Sequence, residues 1–159
     1  MLATRIHLCL LFAAVTPSFC SANITRLSAD DQKALRDVSR FHELHAAKDL
    51  PPAVLALCAG ESGKLADPGQ KWQATDVITD QTLPGKRLIW AVTNDDYYVV
   101  HYERGGIAHS FHVMVARLKA GESKPSFVWR GVGKQLDNFK AFLEALRNNK
   151  LDDSLNYPH

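Results

Sequence analysis

Hydrophobic and polar positions change period twice along this chain. In "SADDQKALRDVSRFHELHAA", residues 28 to 47, Leu35, Val38, Phe41 or His42, and His45 recur at helical spacing, which predicts an amphipathic helix. Ser28 sits where an N-cap is needed, and Asp30 and Asp31 fall in the first turn, where carboxylates complement the helix dipole. "DLPPAVLALCAG" then restarts with prolines that a first turn tolerates and with Gly60 as a stop, predicting a second, shorter helix.

After a loop rich in glycine the period shortens. Residues 71–79, 87–93, 97–104, 107–118 and 126–132 are rich in β-branched and aromatic side chains, which favour strands. The separators "DQTLPGK", "NDD", "GG" and "KAGESKP" have turn chemistry. Connections this short join antiparallel neighbours, because parallel pairing needs longer crossovers. "GKQLDNFKAFLEALRNNK" closes the pattern as a helix with Leu136, Phe139, Leu143 and Leu146 on one stripe. The expected fold class is α+β. A five-stranded antiparallel meander is packed by N-terminal and C-terminal helices in the order α-α-β-β-β-β-β-α, with one sheet face buried.

The first residues change the picture of where this domain works. Arg5, the apolar run 8–15 and the small residues of "TPSFCSA" have the three parts of an export signal. Residues 1–22 are therefore expected to be a signal peptide, and residues 23–159 a single domain with a polar tail from about Leu151. No apolar run approaches the roughly 20 residues needed to span a bilayer. Export to a periplasmic or secreted location follows. Cys9 and Cys20 belong to the signal, leaving Cys58 alone and unable to close an intrachain disulfide. Its apolar neighbours read as a buried small hydrophobe.

Charge narrows the partners. The chain carries +2 at neutral pH, and losing the signal removes Arg5 and no acid. Such a balance gives no electrostatic footprint for nucleic acid. "GESGK" lacks both the leading glycine and the trailing hydroxyl of a phosphate-binding loop, since Cys58 and Leu65 stand there, and no strand precedes it.

Candidate chemistry gathers in "YYVVHYERGGIAHSFHVMV", residues 97 to 115. With Gly105 and Gly106 as a two-residue turn, Arg104 would face Ile107. Tyr98, Val100, Tyr102, Phe111 and Val113 would then line a core face, with His109 at its edge. Tyr97, His101, Glu103, Ser110 and His112 would share the other face as a candidate ligand-binding surface. His101, His112 and Glu103 supply the nitrogen and oxygen donors that zinc accepts, and Ser110, His101 and Glu103 suggest a nucleophile, base and orienter. Neither pattern has the spacing of a strong motif, so no cofactor is expected, with zinc as the alternative. His42 and His45 would neighbour one another on a helix, and a three-residue "NDD" turn would place Leu88, Trp90 and Val92 on the core side. The functional expectation is a small exported, non-enzymatic protein that binds a partner protein or small ligand through a sheet face, with an inhibitor as one such role. A small hydrolase or metalloprotein is the alternative.

Overall fold

The computed structural model describes residues 27–78 and 80–153. The expected signal, residues 23–26 and the chain beyond Asp153 lie outside the described residues.

Helix α1 runs over Ala29–Arg36, and the Ser28 side chain accepts the Asp31 amide at 3.1 Å as its N-cap. The helix ends eleven residues before the sequence pattern does. Phe41 packs its ring on Phe139 at 4.6 Å, and after a 3-10 turn at Val38–Arg40 the chain extends into strand β1, His42–Leu44. Residues expected to continue the helix thus form an edge strand, and His42 and His45 are not helical neighbours. Helix α2, Pro52–Ala59, starts on its prolines and stops at Gly60, whose φ of 65° suits glycine.

Strands β2 (Lys86–Thr93), β3 (Tyr97–Arg104), β4 (Ser110–Arg117) and β5 (Ser126–Gly133) follow. Helix α3, Phe139–Arg147, is capped by Asn138, which accepts the Ala141 amide at 3.0 Å. The five strands form one antiparallel sheet in the order β1-β2-β3-β4-β5. The α+β class and the antiparallel meander are as expected. The element order differs, because β1 enters between α1 and α2.

Residues 71–79 form no strand among those described. The segment instead crosses the end of the sheet. The Gln73 amide donates to Pro84 at 2.8 Å, and the Gly106 amide donates to Ala74 at 3.3 Å. Both sheet faces are covered, which corrects the expectation of one buried face. Leu50, Val54 and Cys58 from α2 and its approach pack on Leu88, Val100, Tyr102 and Met114. On the opposite face Leu35 of α1, with Phe139 and Phe142 of α3, packs on Val92, Val99, Val113, Val115 and Trp129. The start of the expected tail belongs to this structure too. Asp152 bridges Val132, Leu151 packs on the α1/α3 side, and Trp129 Nε1 donates to Asp153 Oδ2 at 3.1 Å.

Candidate functional site at the hairpin end

Strand β3 pairs with β4 in the register Tyr97↔Arg117 through Arg104↔Ser110. Residues 105–109 form the loop, where the sequence suggested Gly105 and Gly106 alone. The shift is an odd number of residues, so it exchanges the faces of β4 relative to β3. His101 now opposes Val113, Glu103 opposes Phe111, and Tyr102 opposes His112. The expected shared surface is therefore divided. Tyr97, His101 and Glu103 lie on the α1/α3 side, whereas Ser110 and His112 lie on the α2 side. The zinc set His101, His112 and Glu103 and the triad Ser110, His101 and Glu103 do not come together. Among the described residues, no three His, Cys, Asp or Glu side chains converge as a metal site.

The β2–β3 turn also departs from expectation. Trp90 opposes His101 and Leu88 opposes Tyr102, with an irregularity between them. This bulge turns Leu88 toward α2 and Trp90 toward α3. Trp90 and His101 then act together on one residue. Trp90 Nε1 donates to the Leu136 carbonyl at 2.7 Å, and the Leu136 amide donates to His101 Nε2 at 3.1 Å. With Nε2 accepting, His101 Nδ1 carries the proton and donates to the His112 carbonyl at 2.8 Å. Both ring nitrogens are engaged and the residue is fully buried. Burial lowers its pKa, holding the ring neutral. His101 is a pin between β4 and the approach to α3.

Tyr97 has a comparable structural role. Its ring lies in the α1/α3 core, and its hydroxyl donates to Asp31 Oδ1 at 2.7 Å. Burial and that carboxylate raise the phenol's pKa.

Glu103 is the candidate that reaches a surface network. Its carboxylate is buried, with Oε1 accepting Arg87 Nε at 2.6 Å and Oε2 lying 2.7 Å from His109 Nε2. Arg87 lies 5.2 Å from the Trp72 ring centroid, and His109 lies 5.5 Å from Trp72 and 4.8 Å from Phe111. Trp72, Arg87, Glu103, His109 and Phe111 thus brace the hairpin end. Gly105 is part of the brace, because an added Cβ would collide with the Gln73 carbonyl oxygen. Gln73 in turn donates its side-chain amide to the Val77 carbonyl.

That brace supports exposed apolar side chains. Ile107 is 93% exposed, and Val77 and Ile78 are each 65% exposed. The sequence pattern placed Ile107 and Val77 in strands, and so hid this tip. The available signal was the Gly-Gly step followed by Ile107, because a longer loop would leave that isoleucine outside the sheet.

On the α2 face, Ser110 Oγ lies 2.8 Å from His112 Nε2, and the His112 ring stacks on Tyr102 at 5.2 Å. Burial pushes His112 down to about 4, and the charges of Arg130, Arg104 and Lys86 act in the same direction. Burial pushes Tyr102 up to about 12 and Cys58 up to about 12. Cys58 is thus the buried, unreactive thiol its neighbours suggested.

Comparison with protein-family models, curated proteins and solved structures finds no match to this chain.

Proposed function

We propose that this is a small exported protein that binds a partner protein through the hairpin tip formed by residues 72–78 and 105–109. The observation that carries the reading is the exposure of Ile107, Val77 and Ile78 at one braced end of the sheet. Apolar side chains grouped on a surface mark interaction sites, whereas singly scattered ones need no explanation. The surrounding Trp72, Arg87 and His109 provide aromatic and charged rim contacts suited to protein recognition. The location also suits the role, because loops positioned by a rigid scaffold commonly carry binding residues. The sheet faces themselves are occupied by helices, so the tip replaces the sheet face as the proposed surface.

A photo-crosslinking residue at Ile107 or Ile78 tests this reading in the exported fraction of the native cells. Lys119, in the loop at the other end of β4, serves as the control position. The proposal expects one discrete adduct from both tip positions and none from Lys119. Equal adducts from all three positions, or none above background, would contradict it.

A further inference from the structure

The α2 face carries a second feature that partner binding does not use. Lys86, Arg104 and Ser110 are consecutive partners across β2, β3 and β4, since Lys86 opposes Arg104 and Arg104 opposes Ser110. Directly opposed side chains start about 4.5 to 5.5 Å apart. Arg130 approaches from β5. Its Nη2 donates to the Leu57 carbonyl at 3.2 Å, and Lys86 Nζ donates to the adjacent Cys58 carbonyl at 2.7 Å. Two cations therefore meet at the end of α2, with Arg104 exposed beside them.

The helix end accounts for only part of this charge. A helix C-terminus presents roughly half a negative charge, against three positive side chains. Among the side chains that are described, the ion pairs join none of Lys86, Arg104 and Arg130 to a carboxylate. Burial and the neighbouring Arg130 and Arg104 lower the Lys86 pKa, as expected for crowded cations. Among the described residues, nothing accepts a hydrogen bond from the buried Arg130 Nε. A buried donor without an acceptor is costly, and such a group commonly marks the place of a water or ion.

We infer that Lys86, Arg104, Ser110 and Arg130 bind a dianionic phosphate-type oxyanion, either inorganic phosphate or the terminal group of a phosphate monoester. The anion would meet three cationic donors and one hydroxyl. Charge-assisted contacts of this kind are the strong ones, and guanidinium groups suit tetrahedral oxyanions geometrically. The glycine-rich "GESGK" supplies none of these side chains. The inference is independent of the proposed tip, since these residues lie on the α2 side of the sheet.

Calorimetric titration of the mature chain tests this, with inorganic phosphate and glycerol phosphate in separate arms and chloride holding ionic strength constant. Saturable binding is expected, and comparing the two arms identifies which source is accepted. Arg104→Met should weaken binding by about tenfold, the loss of one charge-assisted hydrogen bond, while leaving the melting temperature unchanged. Arg104→Lys should recover part of it. Absence of saturable heat in both arms would overturn the inference, as would equal affinity in Arg104→Met.

Discussion

Acid should destabilise this protein through His112, and the effect is large enough to isolate. The imidazole is only 2% exposed, lies against Tyr102 and has its pKa pushed down to about 4 by burial and three nearby cations. In the unfolded chain a histidine titrates near pH 6.5. Above that value both states are neutral, and His112 adds no pH dependence. As pH falls below about 6.5 the unfolded chain takes up a proton that the folded protein refuses, so stability drops until the folded pKa is reached. The slope is about 1.4 kcal/mol per pH unit for one group, or about 2 kcal/mol between pH 6.5 and pH 5. Urea unfolding of the protein and of His112→Phe across that range measures the difference. The phenylalanine preserves the stack on Tyr102, and subtracting the two curves removes the common contribution of other groups. The stability of the protein minus that of His112→Phe should fall steadily with acidification by about that amount. A pH-independent difference, or one growing toward acid, would refute the buried neutral imidazole.

Three further perturbations test the structural account. His101→Leu leaves the Leu136 amide and the His112 carbonyl without their ring partner, so urea unfolding should show a loss of about 2 to 5 kcal/mol; a loss under about 0.5 kcal/mol would remove His101 as the pin. Gly105→Ala forces a Cβ into the Gln73 carbonyl, so hydrogen exchange at Gly106 should accelerate and stability fall by about 1 to 3 kcal/mol, whereas unchanged exchange would separate the two loops. Glu103→Gln removes the charge that Arg87 and His109 share. It should cost about 1 to 3 kcal/mol and loosen the same amides, and a neutral effect on both would leave the brace without an ionic component.

The strands from Arg87 to Val132 were legible because their apolar and β-branched runs are interrupted by strong turn signals. The capped starts of α1 and α3 were legible for the same local reason. What escaped depends on contacts between distant residues. Phe41 leaves the helical path to meet Phe139, which draws His42–Leu44 into the sheet. Trp72 had the composition of a strand residue, yet its segment is held by Arg87 and the hairpin loop rather than by a strand partner. The candidate site was most sensitive to register. A five-residue connection in place of two exchanged the faces of β4 and separated His112 and Ser110 from His101 and Glu103. Period-two patterning could not detect the exchange, because both faces are buried and both strands are apolar on either side. The useful inversion is that the isoleucine assigned to a strand end became the most exposed large side chain of the proposed surface.

The most direct test of the proposed tip is the affinity of its crosslinked partner for the protein and for Ile107→Asp, measured by surface plasmon resonance at one salt concentration. Ile107 is 93% exposed, so the substitution should leave the melting temperature in place. A central contact costs more than about 1 kcal/mol when lost, and burying the new carboxylate adds to that, so affinity should fall about tenfold or more. An unchanged affinity with unchanged melting would contradict partner binding through this tip.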